Sequence, residues 1–322
     1  MAKRSAIIKK SFRKLDNRQL FRIVAISFWI LLPARYLPSD SPQQKTVWDD
    51  QSAPFILGQA PQRIVSLAPN ITEILFALEL GPRVAAVTRF CDYPPEASGK
   101  DKIGGLIDPD LEKIKALQPD LVIAYRGNPL SNIRRMRELG LPVFALDAGD
   151  TLDSLAFLIA RIGQVTGRGK KAAALIQGLA DQRNEVRTRL KRAASPPKVF
   201  LLLPGAGLWT SGGQGYLNDL VEQACAVNVA AGIKKPWVDY SLEQLVSDDP
   251  ETIILLARSR EEFEQAKKRT ETDPRLKNLR AVRSSRFVFL DENKTSRFGP
   301  RLIDAYAELA RALHPECFEK NK

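Results

Sequence analysis

The 322-residue chain contains one histidine, His314, at the tail of its last apolar-periodic stretch. A Ser-His-Asp or Cys-His couple would have to recruit it, far from any strand-to-helix turn. The same count excludes a His-rich metal site. Cys91, Cys225 and Cys317 are too widely spaced for a C-x-x-C metal or redox pair. The Gly-rich TSGGQG (210–215) lacks both G-x-G-x-x-G and the Lys-Ser/Thr ending of a phosphate loop, and reads as a turn before a helix. A chain with 37 acidic residues always offers carboxylate pairs, but nothing positive points to catalysis. No enzyme activity, no metal and no cofactor are expected.

The sequence does offer aromatic and cationic residues just past the ends of apolar segments. Phe90 and Tyr93 stand in RFCDYPP, and Tyr125 and Arg126 end DLVIAYR. Trp209 follows LLLPGAG, Trp237 and Tyr240 lie in KKPWVDY, and Arg297 and Phe298 precede the last helix. Aromatics on connecting loops at one end of a sheet suit a pocket for a large, flat, partly apolar ligand. Arg89, Arg126 and Arg297 offer charge to an anionic or amide-rich ligand. The plain alternatives are aromatics packed under their own loops and solvated surface arginines.

RIVSLAPNITEILFALELG (63–81) reads as a buried strand, a Pro-Asn turn and a helix. Asn70-Ile-Thr-Glu73 fits a capping box, with Asn70 as N-cap and Glu73 reaching back from N3.

The elements that must position these residues alternate. IVSLA (64–68), RVAAVT (83–88), DLVIAY (120–125) and PVFALD (142–147) are short apolar strands. Between them DPDLEKIKALQ (108–118) turns Leu111, Ile114 and Leu117 to one face, and SNIRRMRELG (131–140) turns Ile133, Met136 and Leu139 inward before Gly140. Continuous apolar strands between helices predict a parallel sheet covered on both faces. Residues 151–193 then read as helix throughout, broken near Gly167, and the piece from 169 to 193 is long enough to bridge two lobes. After Pro197 the alternation resumes with KVFLLL (198–203), YLNDLVEQA (216–224), SLEQLVSDD (241–249), ETIILLA (251–257), EEFEQAKKRT (261–270), FVFL (287–290) and PRLIDAYAELARAL (300–313).

The halves repeat one another. LEKIKALQPDLVIAY (111–125) aligns without gaps to LEQLVSDDPETIILL (242–256), and RIVSLAP (63–69) to KVFLLLP (198–204). The expectation is an α/β fold of two similar doubly wound parallel-sheet lobes joined by a single long bridging helix. The expected boundaries are an N-terminal lobe over 61–150, a helical segment over 151–195 and a C-terminal lobe over 196–322. Two such sheets facing one another enclose a cleft outside the carboxyl ends of their strands.

Residues 1–35 hold nine Lys/Arg against the single acid Asp16, a net +8, which leaves 40 basic against 36 acidic residues, +4, for the rest. The net +12 is therefore a tag and not a nucleic-acid groove, and no nucleic-acid partner is expected. IVAISFWILLPA (23–34) is too short for a comfortable membrane span but fits the apolar core of a signal peptide. Residues 1–35 are thus read as a signal peptide or an N-terminal membrane segment, and 36–60 as a linker and extended approach segment, with the ordered body starting near Arg63. An exported chain could pair Cys225 with Cys317 as a disulfide; three buried thiols are the alternative.

RIVSLAPNITEILFALELG, VTRFCDYPPEA, IGGLIDPDLEKIKALQPDLVIAYRG, LGLPVFALD, TSGGQGYLNDLVEQACAVN and KPWVDYSLEQLV, in this order, resemble the periplasmic solute-binding proteins of cobalamin and iron-siderophore ABC importers. The resemblance covers about Thr46 to Leu313 and is strongest to the cobalamin-binding branch. It implies a monomeric, exported carrier that holds a corrinoid between two rigid lobes and delivers it to an ABC importer permease dimer. A ferric-siderophore or haem carrier, or a membrane-tethered ligand sensor, are the alternatives. The location implied is periplasmic or extracytoplasmic, membrane-anchored if the N-terminal segment is not cleaved. The resemblance implies that Phe90, Tyr93, Tyr125, Trp209 and Trp237 match pocket aromatics by position, while GGLIDPD stands in place of a Trp of the cobalamin binders. The resemblance also implies that Glu73 and Glu222, one acid per lobe, dock into permease arginines.

Overall fold

Strands that are apolar along their whole length have no solvent face, and here they form the centres of two all-parallel sheets. The computed structural model describes residues 45–319 apart from 148 and 206. The N-terminal lobe has the order β5-β4-β3-β6-β7, from β3 (Ile64–Ser66), β4 (Val84–Val87), β5 (Asp101–Lys102), β6 (Leu121–Tyr125) and β7 (Val143–Leu146). The C-terminal lobe has β10-β8-β12-β13, from β8 (Lys198–Leu202), β10 (Val227–Asn228), β12 (Thr252–Ala257) and β13 (Phe287–Asp291). Every residue of β12 is buried, as are the first four of β6. At one edge of each sheet the strand is short, β5 and β10 being two residues long, while the opposite edges, β7 and β13, run to four and five residues.

The main helices are α1 (Pro69–Ala77), α2 (Leu111–Ala116), α3 (Leu130–Glu138), α4 (Ser154–Val165), α5 (Gly169–Leu190), α6 (Tyr216–Gln223), α7 (Leu242–Asp248), α8 (Arg260–Thr272) and α9 (Leu302–Leu313). The repeat read in the sequence is a repeat of structure. Asp110 caps α2 by accepting from the Lys113 amide at 2.9 Å, and Ser241 caps α7 by accepting from the Gln244 amide at 3.1 Å. Each capped helix leads into the strand, β6 or β12, that pairs with the first strand of its lobe, β3 or β8.

α4 stops where Gly167 takes a φ of +69°, a conformation only glycine adopts freely, and Arg168 N–H closes the turn on the Gly163 carbonyl at 2.7 Å. α5 follows with 22 residues, about 33 Å at 1.5 Å per residue. It touches both lobes: Lys171 donates to Glu79 of the N-lobe at 2.7 Å, while Arg183 donates to Gln223 and Gln182 to Asp304 of the C-lobe, each at 2.8 Å. One apolar cluster runs without a break from Ile64 and Phe144 through Leu158 to Val199, Leu256 and Tyr306. The lobes therefore share a core, and prising them apart would expose it.

Two expectations need correcting. Among the described residues, regular structure is present well before Arg63: β1 (Lys45–Trp48) and β2 (Pro54–Leu57) form an antiparallel hairpin. Val47 is buried, Phe55 stands edge-on to Phe144 with ring centroids 5.4 Å apart, and the buried Asp49 accepts from the amides of Gln51 and Ala53 at 2.9 Å and of Ala145 at 3.0 Å. Alternating apolar residues too few to register as a strand pattern carry this hairpin. The capping box is also absent. Pro69 occupies the first position of α1 behind Ala68, so Glu73 falls at the fifth helical position and not the third, and Asn70 donates to the Phe298 carbonyl at 3.3 Å. The signal or membrane segment of 1–35 lies outside the described residues, among which no helix is long and apolar enough to cross a membrane.

Candidate functional site

Trp209 and Trp237 sit on a two-stranded antiparallel ribbon of β9 (Trp209–Ser211) and β11 (Trp237–Asp239) at the end of the C-lobe sheet, not on loops. Trp237 opposes Ser211 and Trp209 opposes Asp239, so both indoles stand on one face of the ribbon. They are 43% and 46% exposed. Phe90, 48% exposed, follows β4 of the N-lobe, and the Arg89 guanidinium lies 5.3 Å from its ring. Exposure alone does not set these aromatics apart, since Trp48, Ile107 and Phe157 are more exposed; their common place at the carboxyl ends of the strands does.

The remaining sequence-derived residues divide. Tyr125 is half-buried against the shared core, and burial pushes its hydroxyl up. Tyr216, missed in the sequence, packs edge-on to Phe298 at 5.2 Å and donates to the Thr295 carbonyl at 2.7 Å; burial pushes it up to about 12. Tyr240 is not a pocket residue. It is buried in the C-lobe core against Phe200, with its hydroxyl on Asp248 and the Val229 carbonyl. Cys225 and Cys317 are not joined, and all three cysteines are free thiols.

Glu73 is also corrected. It is only 4% exposed, and both carboxylate oxygens are taken. Arg301 donates to it from Nε at 3.0 Å and from Nη2, and Arg297 donates from Nη1 at 3.3 Å. Arg297 also pairs with Asp92 and reaches the Phe90 carbonyl at 3.4 Å, while the Arg301 guanidinium covers the Tyr93 ring at 3.8 Å. Arg297 and Arg301 sit four residues apart in RFGPR before α9, so one C-lobe turn grips α1 and the DYPP loop of the N-lobe. This is an inter-lobe latch and not a free docking carboxylate.

The pseudo-symmetric position is built differently. Glu222 is half-exposed and accepts only from Asn218, at 2.8 Å. It lines a cavity of about 580 Å³ between the lobes, with Arg126, Asp150, Gln214, Asn218 and Pro236. Arg126 donates from Nε to Asp147 and from Nη1 to Asp150, each at 2.6 Å. A larger inter-lobe cavity of about 850 Å³ lies on the latch side, with Phe76, Tyr93 and Leu179 among its walls. No cluster of three or more His, Cys, Asp or Glu that could hold a metal occurs among the described residues.

The hydrogen bond from Arg297 holds the Asp92 carboxyl below its ordinary 3.8. A folded-state pKa lowered in this way contributes stability that is complete above about pH 4 and is lost as pH falls through the lowered value. The unfolding midpoint of the native chain is therefore expected to drop more steeply below about pH 4 than that of Asp92→Asn. Parallel acid profiles for the two would show that the pair carries no such linkage.

Sequence reading missed Asp92, Asp108, Asp147, Asp150 and Arg301. The only signal for Arg301 was its i,i+4 spacing from Arg297.

The periplasmic binding protein family profile matches residues 64–294. An uncharacterized ABC transporter substrate-binding lipoprotein, YvrC, of Bacillus subtilis is 27% identical over 281 residues, 85% of this chain and 87% of that protein. Among solved structures, the periplasmic heme-binding protein RhuT from Roseiflexus sp. RS-1 superposes with a TM-score of 0.71 at 25% identity, covering 80% of this chain and 99% of RhuT. The periplasmic vitamin B12 binding protein BtuF of Vibrio cholerae gives 0.66 at 26% identity, covering 81% and 99%.

Proposed function

The chain belongs to the periplasmic binding protein family, and from that premise we propose that it is an extracytoplasmic carrier that captures a corrinoid between its lobes and hands it to an ABC importer permease. The observation that carries the reading is the set of open aromatics at the carboxyl ends of both sheets: Phe90 on one lobe, Trp209 and Trp237 on the other. A corrin is large, flat and apolar on its faces, with amides at its rim, and such a ligand is held by aromatic walls with a few polar groups between them. The likeness to BtuF supports the corrinoid, and the likeness to RhuT supports haem as the second reading. The role we read is binding without chemistry, as membership of a binding-protein family supports; the one histidine, His314, is buried and bonded to the Cys225 carbonyl at 3.0 Å.

For the permease, Glu222 is the acid free to dock, because Glu73 is already paired. Charges of this kind set orientation and on-rate more than affinity.

The test is a titration of the purified chain with cyanocobalamin, haemin and a ferric hydroxamate, followed by tryptophan fluorescence. Saturable sub-micromolar quenching by cyanocobalamin is the expected result. Tight binding of haemin or the hydroxamate alone would move the ligand and leave the carrier; silence with all three would remove the corrinoid reading.

A further inference from the structure

Each arginine around the aromatic site is already matched by aspartate. Arg89 Nη2 donates to both oxygens of Asp108, at 2.8 and 2.7 Å. Arg126 bonds Asp147 and Asp150, each at 2.6 Å, and Arg297 pairs with Asp92. With Glu73 matched by Arg301, the three guanidiniums face four aspartates, which leaves the set one charge negative. The four aspartate side chains are half or more exposed. The Arg297–Asp92 pair belongs to the latch, but the Arg89 and Arg126 pairs are exposed on both sides, and exposed pairs add little to folding, so stability does not account for those three. Space is kept for one pair: a Cβ on Gly105 would lie 2.3 Å from Asp108 Oδ1 and 2.6 Å from Arg89 Nη2.

We propose that Asp108, Asp147 and Asp150 act as a charge filter, so that the N-lobe half of the site accepts uncharged, amide-rich ligand groups and turns carboxylates away. This rests on the reading that the ligand binds between the lobes. Paired arginines keep spare N–H donors and their aspartates keep spare lone pairs, which together match the donor and acceptor of a primary amide. A carboxylate finds every guanidinium already neutralised and meets like charge beside it, the repulsive element that gives specificity. The filter is one-sided, since Lys234 and Lys235 stand exposed just before Trp237 on the opposite lip.

The experiment compares cyanocobalamin with corrins of the same frame whose side-chain amides have been hydrolysed to carboxylates. The native chain is expected to bind the amide form at least about tenfold more tightly, since one like-charge contact is worth about a factor of ten. That ratio should narrow in Asp108→Asn and in the double variant Asp147→Asn/Asp150→Asn, and also at high salt. Equal affinities in the native chain, or a ratio that the variants leave untouched, would overturn the filter. If haemin binds in place of the corrin, the same comparison is made between haemin and its dimethyl ester. Preference for the ester upholds the filter although the corrinoid reading has failed, and preference for the free acid overturns it.

Discussion

Glu73→Ala lowers the stability of the folded chain by about 3–5 kcal/mol, the cost of leaving a buried charge without its partner. The arginines it would strand, Arg297 and Arg301, have side chains 14% and 15% exposed, so water does not take over the lost bonds. The pseudo-symmetric Glu222→Ala should cost no more than about 1 kcal/mol, because that carboxylate is half-exposed and accepts a single amide bond. Denaturant midpoints measured by tryptophan fluorescence decide between them. A Glu73→Ala protein within about 0.5 kcal/mol of the native chain would place Glu73 among ordinary surface residues and remove the latch.

Trp237→Ala and Trp209→Ala each weaken ligand binding by about 30-fold or more, some 2 kcal/mol, if these indoles are the C-lobe wall of the site. Neither is part of the core, so both variants should fold with nearly native stability. Calorimetric titration with cyanocobalamin reads the effect directly and does not depend on the residue removed for its signal. Affinity unchanged in both variants would mean that the ribbon does not touch the ligand. Loss of affinity together with loss of the folded baseline would mean that it is structural.

What the sequence made legible follows from how far apart the cooperating residues are. Parallel sheets write themselves as continuous apolar runs, so LVIAY and TIILLA announced their strands, and the two capped helices before them exposed the repeat. The hairpin at 45–57 escaped because its core-facing residues, Val47, Phe55 and Leu57, are too few to outweigh the polar residues between them. The ribbon escaped because its two tryptophans are 28 positions apart and meet only through strand pairing. The latch could not be read at all: Arg297 and Arg301 are 224 and 228 residues from Glu73. Local pattern favoured a cap for Glu73, and Pro69 displaced that cap by starting the helix early. Tyr240 looked like its neighbour Trp237, but the strand's alternation turned it into the core.

The latch has a kinetic consequence. Every group in it belongs to the chain, so its closure does not wait for cargo, and the shared core beneath it holds the lobes at one spacing. If the lobes keep this spacing in solution, encounter with the ligand should not be slowed by a preceding rearrangement. The same contacts oppose any release that requires the lobes to part. A partner that unloaded the site by parting the lobes would have to pull Arg301 from Glu73.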